Sequence, residues 1–304
     1  MAKYACYLRG SPSERAALRA KRILDAGFEG IGLGHPFHTF DWEEIRPTLP
    51  REKIDSIDLF LPYPSSHPPG APCPFHLDSS HPEEKRDAVK YGTETVLFAD
   101  RSAIPFILVH PVLLEEVLRK QVEELPRNKR FSEGVLKIQA LRAPEAKLKL
   151  DPFRSVLSKL LDVAARHGVK LALVPGGFID EAPDLLEARA CLKEFAGAPL
   201  FVWIDTFSHS MAEEFGAVDQ LFTDLKENLV GATLRDMSPR KKPVLLGEGK
   251  ANWDVLRPLL EASPLWLADP PEISAEGALK QSLEFFETLR RGPEVKLKPG
   301  FYLS

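Results

Sequence analysis

Histidine and aspartate side chains recur at the points where short apolar runs of the sequence end. His110 and Asp205 each close such a run, His209 lies just beyond Asp205, and Asp236 and Asp269 follow two later runs. Imidazole and carboxylate groups bind divalent cations such as zinc, manganese or magnesium, and they are also the usual groups for proton transfer. We therefore predict that His110, Asp205, Asp236 and Asp269 are catalytic, and that His110, Asp205 and His209 hold one metal.

Four further residues near the same run ends are predicted to bind a substrate. Tyr63 follows the third run, and Arg235 ends the seventh, shortly before a basic loop that contains Lys241 and precedes Glu248. Guanidinium and ammonium groups in such a place suit a phosphate or carboxylate of a substrate. Structural interpretations stay open, because aspartates at strand ends commonly cap helices, glutamates brace turns and basic loops are often simply solvated.

The elements that must position these side chains alternate between short apolar runs and longer amphipathic stretches. Such alternation is typical of β-α-β units and a parallel sheet. The sequence predicts strands over Lys3–Leu8, Phe28–Leu33, Ile54–Leu61, Ile104–His110, Val169–Val174, Leu200–Asp205, Leu229–Arg235 and Leu265–Ala268. It predicts helices over about residues 13–26, 41–49, 82–101, 153–166, 183–196, 212–227, 253–261 and 274–290.

Eight strand–helix units predict a closed (β/α)₈ barrel, or TIM barrel, that forms a single domain over residues 1–304. An open doubly wound sheet is the alternative, but no Gly-x-Gly-x-x-Gly turn follows the first strand. In a barrel the strand ends meet at one rim, where active sites of this fold lie. Residues 111–150 exceed a usual connection, and we predict an insertion or lid after the fourth strand, with a helix over Leu113–Leu125.

Composition narrows the classes of partner. The 304 residues carry a net charge of −4, which gives no general attraction to nucleic acid. The first residues lack the pattern of a signal peptide, and no apolar window is long enough to span a membrane. The three cysteines are far apart, as is usual in a reducing compartment. We expect a cytoplasmic protein with no membrane or nucleic-acid partner.

Seven motifs follow one another along the chain. They are Ala26–Leu33 (AGFEGIGL), Leu61–Pro64 (LPYP), Val109–Pro111 (VHP), Ala164–Leu173 (AARHGVKLAL), Trp203–His209 (WIDTFSH), Gly231–Met237 (GATLRDM) and Leu245–Trp253 (LLGEGKANW). Together, over about residues 3–290, they resemble the xylose-isomerase-like barrel superfamily, which includes sugar-phosphate isomerases and epimerases and the endonuclease IV enzymes. The resemblance implies a sugar-like substrate and one to three divalent metals at the barrel mouth.

The resemblance does not extend to most of the metal ligands of that family. Where the family has a glutamate on strand five, a histidine on strand seven and a glutamate on strand eight, this sequence has Val174, Thr233 and Ala268. Asp205 matches the family's strand-six aspartate, but His209 lies one residue beyond the expected histidine. Because valine and alanine offer no electron pairs to a cation, the resemblance implies a degenerate site that holds one divalent metal (Zn, Mn or Mg) or none.

Three functional hypotheses follow. The first is a divergent sugar or sugar-phosphate isomerase or epimerase that acts on a small sugar-like ligand with a rearranged site. The second is a catalytically inactive barrel that binds such a ligand or a protein partner. The third, a DNA-repair endonuclease, is the least favoured, because the acidic composition and the missing metal ligands oppose it.

Overall fold

Eight parallel strands follow one another around a closed barrel, in which each strand pairs with its neighbours in sequence. The structure is a computed structural model that describes residues 2–11, 13–68, 71, 73–125, 131–209, 225–238, 242–271 and 276–291. The barrel strands are β1 (Lys3–Arg9), β2 (Gly30–Gly34), β3 (Ile54–Asp58), β4 (Phe106–Val109), β5 (Lys170–Leu173), β6 (Leu200–Asp205), β7 (Leu229–Leu234) and β8 (Leu265–Ala268). β8 pairs in parallel with β1, so all carboxyl ends meet at one rim, called the mouth below.

Helices surround the barrel in the usual alternation with the strands. The principal helices are α1 (Ala16–Asp25), α2 (Thr39–Ile45), α3 (Pro82–Arg101), α4 (Glu116–Glu123), α5 (Phe131–His167), α6 (Leu185–Glu194), α7 (Trp253–Ala262) and α8 (Glu276–Arg291). Local sequence explains where several begin: Pro82 opens α3, where the missing N–H costs nothing. Asp184 caps α6 by accepting a hydrogen bond from the Glu187 N–H at 2.9 Å.

The inside of the barrel holds an apolar cluster that is separate from the larger core between strands and helices. Its buried members are Ala5, Tyr7, Leu108, Ala172, Val174, Trp203, Val230, Leu265 and Leu267. Trp203 is fully buried there, and its indole Nε1 donates a hydrogen bond to the Thr233 hydroxyl at 2.8 Å. Gly231 faces the Trp203 ring so closely that a side chain at this position would overlap it. The barrel is therefore a packed core with its accessible polar groups at the mouth.

The predicted strands and most predicted helices are confirmed within a few residues. β6 and β8 have the predicted bounds, as does α3, because each is flanked by strong turn or cap signals. β3 ends at Asp58 rather than at Leu61, and this difference matters for the site. The helix predicted over residues 212–227 lies almost entirely outside the described residues.

The segment over residues 111–150 differs most from expectation. Its predicted first helix is present as the shorter α4, but its second half is not irregular: α5 begins at Phe131 and runs on to His167. The predicted helix over residues 153–166 is therefore only the end of α5. Pro144 and Pro152 lie inside α5 and disguise its continuity in the sequence, since proline usually marks a helix boundary.

Two short antiparallel ribbons lie in the loops that follow the barrel strands. Val112–Leu113 pairs with Glu181–Ala182, and Asp236–Met237 pairs with Pro243–Val244. The first ribbon ties the start of the 111–150 segment to the loop that follows β5. None of the helices in the described ranges combines the length and the apolar character that crossing a membrane requires.

Candidate functional site

The interior cluster identifies the side chains that face the mouth, because residues two positions apart in a strand lie on the same face of the sheet. Tyr7 lies inside the barrel, so Arg9, two positions later, faces the mouth. The same rule and the contacts given below define a set of six ionisable side chains, called the mouth ring: Arg9, Asp58, His110, Asp205, Arg235 and Asp269.

Asp58 ends β3, and its carboxylate is buried at the base of the mouth. Its Oδ1 accepts a hydrogen bond from the Tyr7 hydroxyl at 3.0 Å and lies 2.9 Å from Nε2 of His110. Burial favours the neutral acid, but His110, His35 and Arg9 hold the pKa of Asp58 well below its ordinary value. The His110 side chain is 43% exposed. This imidazole therefore connects a buried, ionised carboxylate to the accessible mouth.

His35 and Tyr63 form an uncharged pair beside Asp58. The Tyr63 hydroxyl lies 2.8 Å from Nδ1 of His35, and the backbone N–H of His35 donates to Oδ2 of Asp58 at 3.1 Å. Burial lowers the pKa of His35 to about 4, and burial also raises the pKa of Tyr63. At neutral pH the imidazole and the Tyr63 hydroxyl are therefore both uncharged, and their contact joins two neutral groups.

Arg9, at the end of β1, is held by Asp269 beyond the end of β8. Nε of Arg9 donates to Oδ1 of Asp269 at 3.3 Å and Nη2 donates to Oδ2 at 3.0 Å, which is a two-pronged contact. Nη1 of Arg9 donates to the backbone oxygen of His35 at 2.8 Å. Burial disfavours the cation, but Asp269 and Asp58 raise the pKa of Arg9 above its ordinary value. Arg9 therefore stays charged.

Arg235 and Asp205 form the matching pair on the other side of the mouth. Nε of Arg235 lies 2.7 Å from Oδ2 of Asp205, whose Oδ1 accepts from the Ser208 N–H at 2.9 Å. The Thr206 hydroxyl fixes the backbone of Arg235 by donating to its oxygen at 2.7 Å and accepting from its N–H at 3.0 Å. The guanidinium carbon lies 5.3 Å from the centre of the Phe207 ring. Burial opposes the charge, but Asp205 raises the pKa of Arg235.

Asp236, predicted as catalytic, has its carboxylate engaged by backbone groups. Oδ1 accepts from the N–H groups of Met237 at 2.9 Å and Ala251 at 3.2 Å, and Oδ2 accepts from those of Gly247 at 3.1 Å and Gly249 at 2.9 Å. Four donors around one buried carboxylate brace the turn between β7 and α7. None of these partners belongs to the mouth ring.

The remaining predicted residues are dispersed. Glu248 is exposed in the turn that Asp236 braces, where it accepts a hydrogen bond from the Gln281 amide at 3.1 Å. His209 is buried and lines a narrow cleft that also touches Asp205. Lys241 lies outside the described residues.

A cavity of about 530 Å³ opens beside the mouth. His35 and His110 line its inner end, residues 59–60 and 73–78 form one wall, and residues 111–113 with Lys149 form the other. Nζ of Lys149 lies 2.7 Å from Oδ2 of Asp78 and so links the two walls. This volume is typical of pockets for small molecules. The 111–150 segment therefore contributes a wall of the cavity next to the mouth ring.

The sequence matches no protein-family model and no curated protein. Solved structures, in contrast, match nearly the whole chain. A 3-keto-D-glucoside 4-epimerase from E. coli is 14% identical, with a TM-score of 0.64 over 95% of this chain and 100% of its own. The IOLI protein with a bound zinc atom is 13% identical, with a TM-score of 0.62 over 94% and 97% of the two chains. A xylose isomerase domain protein from Planctomyces limnophilus is 14% identical, with a TM-score of 0.58 over 95% and 97%.

This chain has the xylose-isomerase-like barrel fold. The predicted fold class and the predicted resemblance are thereby confirmed.

A divalent metal does not fit the described residues of this xylose-isomerase-like barrel. They include no group of three or more His, Cys, Asp or Glu side chains placed to hold an ion, so His110, Asp205 and His209 are not gathered as the predicted ligand set. Val174 is buried in the interior apolar cluster, and Ala268 is packed in the core between strands and helices. The multi-metal endonuclease hypothesis likewise finds no ligand set among these residues.

Sequence reasoning missed two members of the mouth ring, Arg9 and Asp58. The predicted third strand ran on to Leu61, which hid Asp58 inside a strand. The available signal was the spacing of Ser56 and Asp58 on either side of Ile57, because polar residues two positions apart lie on the same face of a strand. On strand eight, the pleat places Asp269, and not Ala268, towards the mouth.

Proposed function

We propose that the mouth and its adjoining cavity bind a small sugar-like molecule and interconvert it with an isomer or epimer. The reaction would move a proton off and onto a carbon next to a carbonyl group. The observation that carries this proposal is the exposed imidazole of His110, which is backed by the buried carboxylate of Asp58 and lines a cavity of about 530 Å³. The likeness of the fold to that of a sugar epimerase adds support.

His110 is the proposed acid–base group. When its Nε2–H donates to ionised Asp58, its Nδ1 is unprotonated and able to accept a proton. The negative charge of Asp58 then stabilises the imidazolium that forms, and the same contact keeps the ring in one orientation. Delivery of a solvent proton to the opposite face of the same carbon gives an epimer. Return of the proton by His110 to the neighbouring carbon, with the hydroxyl proton passing from one oxygen to the other, gives an isomer.

The guanidinium groups of Arg9 and Arg235 are proposed to bind ligand oxygens. Their side chains are 37% and 38% exposed, so both can be reached from the mouth. Asp205 and Asp269 are then positioning residues, because each fixes one guanidinium group rather than moving a proton. Asp236 would act further away, by holding the turn next to Arg235 in place.

Exchange of carbon-bound hydrogen with solvent tests the proposal directly. Keto-sugars and aldoses are incubated with the protein in D₂O, and the loss of the proton signal next to the carbonyl is followed by NMR. We expect exchange with at least one sugar, and we expect His110→Asn to slow it by about 10²- to 10⁴-fold. His167→Asn is the matched control, because His167 also contacts an aspartate, Asp100, at 2.8 Å but on the outside of the barrel.

The outcomes separate the two leading hypotheses. Exchange that survives His110→Asn contradicts the assignment of the acid–base group. Binding of a sugar, measured by calorimetry, without any exchange would instead support the catalytically inactive binding barrel. If no sugar in the panel either binds or exchanges, the proposal of a sugar-like ligand is contradicted.

A further inference from the structure

We infer that the guanidinium groups of Arg9 and Arg235 supply the positive charge at this mouth in place of a divalent metal. Two of the three carboxylates in the mouth ring are already bonded to these cations: Asp269 holds Arg9 through two contacts, and Asp205 lies 2.7 Å from Arg235. The role assigned to Arg235 towards a ligand rests on the proposed function. The inference that the mouth needs no metal does not rest on the proposed function.

The charges of the mouth ring oppose entry of a metal. The third carboxylate, Asp58, contacts His110 and the Tyr7 hydroxyl and is buried. Two fixed guanidinium groups face three carboxylates, so a single negative charge remains when His110 is neutral. A doubly charged ion would have to displace cations that are held at 2.7–3.3 Å, or else lie close to them against their repulsion.

The surroundings of Arg235 suit a group that binds a ligand oxygen. Asp205 holds its Nε, the Thr206 hydroxyl fixes its backbone on both sides, and the Phe207 ring supports the cation at 5.3 Å. A guanidinium held in this way keeps its outer edge for a carbonyl or enediolate oxygen and needs no reorganisation when negative charge develops there. Because the ring carries no net positive charge, a neutral keto-sugar suits it better than a phosphate dianion.

The first experiment measures metal binding with no ligand present. Purified protein is treated with EDTA, dialysed, and titrated with Mn²⁺ under electron paramagnetic resonance, and its melting temperature is recorded with and without Zn²⁺, Mn²⁺ or Mg²⁺. We expect Mn²⁺ to remain free and the melting temperature to be unchanged. Stoichiometric binding that Asp205→Asn or Asp58→Asn abolishes would overturn the inference. Binding that both substitutions leave intact lies outside the mouth and leaves the inference standing.

The second experiment tests the positive charge itself in the exchange assay. EDTA is expected to leave the wild-type rate unchanged, whereas Arg235→Gln lowers it by about 10²-fold and Arg235→Lys, which keeps the charge, lowers it less. A rate that EDTA abolishes and Mn²⁺ restores would overturn the inference. Equal rates in Arg235→Gln and the wild type would overturn the role of Arg235. If no sugar in the panel exchanges, the proposed function fails while the metal titration still decides this inference.

Discussion

Burial favours the uncharged form of both Asp58 and His35, but only His35 becomes neutral. Asp58 remains ionised because cationic and hydrogen-bonding partners outweigh the loss of water, and its pKa lies well below the ordinary value. For His35, burial outweighs the attraction of Asp58 for an added proton, and its pKa falls to about 4. The pair therefore presents one fixed negative charge and one neutral ring over the whole neutral range.

The depressed pKa of His35 predicts a loss of stability in mild acid. Between pH 6.5 and 4 the unfolded chain takes up a proton at His35 that the folded chain refuses, so the free energy of unfolding falls as the pH falls. Relative to His35→Gln, the wild type should lose about 2 kcal/mol over this window. Urea unfolding at several pH values measures the difference, with His81→Gln as a control at an exposed histidine. Parallel pH profiles for wild type and His35→Gln would refute the prediction.

At the same scale, sequence reasoning found the residues that end strands but not their partners. His110, Asp205 and Asp269 were predicted as site residues from their positions after apolar runs, and all three face the mouth. The ion pairs and hydrogen bonds that these residues form depend on which strands become neighbours when the barrel closes. Spacing along the sequence does not contain that information. Asp236 shows the converse, because a carboxylate after a strand looks the same in the sequence whether it faces a ligand or four backbone N–H groups.

At the level of elements, packing inside the barrel depends on the large side chain of Trp203 and on the lack of a side chain at Gly231. Trp203 on β6 fills the space in front of Gly231 on β7 and bonds to Thr233 two positions further along. Thr233 lies at the position where the family resemblance implies a metal-binding histidine. Here its hydroxyl accepts a hydrogen bond from the Trp203 indole. Thr233 therefore contributes to packing inside the barrel.

This packing predicts a sharp dependence on size at position 231. Gly231→Ala should destabilise the protein by about 1–3 kcal/mol, because the added methyl overlaps the Trp203 ring. In a Trp203→Leu background the same change should cost less, which a double-mutant cycle of thermal unfolding would measure. Gly277→Ala is the control, since that site in α8 has nothing within 4 Å and should gain up to about 1 kcal/mol. Equal costs in both backgrounds would contradict the proposed overlap.

The elements themselves were largely predictable, with one instructive exception. Strands flanked by turn residues were placed within a few positions. The signal is reliable because a buried strand is apolar throughout, whereas a helix that covers it is apolar on one face only. The first half of α5 was not recognised, since Pro144 and Pro152 interrupt the pattern.

At the scale of the whole molecule, Arg142 fastens the 111–150 segment to the barrel. It is buried, and its two Nη atoms donate to the two carboxylate oxygens of Glu187 on α6 at 2.7 and 2.8 Å. Its Nε and Nη2 also donate to the backbone oxygens of Ile179 and Glu181. The first half of α5 is thereby bonded to the loop after β5 and to the next helix.

Breaking this anchor should loosen the cavity wall before it unfolds the barrel. Arg142→Met leaves Glu187 without its cation, and we expect a loss of about 3 kcal/mol in the free energy of unfolding. Amides in residues 131–150 should then exchange with deuterium faster than those in residues 153–166 of the same helix. Arg166→Met, an exposed arginine on α5, should change stability by less than about 0.5 kcal/mol. Uniform exchange along α5 in Arg142→Met would contradict this account.

The pairing of opposite charges around the mouth has a consequence for how a ligand arrives. The chain as a whole carries a charge of −4, but each guanidinium at the mouth is neutralised by a carboxylate within 3.3 Å. Little field then extends into solvent, so electrostatic steering contributes little to the encounter, and added salt has little to screen. Capture of an uncharged sugar would therefore proceed at the same rate at low and at high ionic strength.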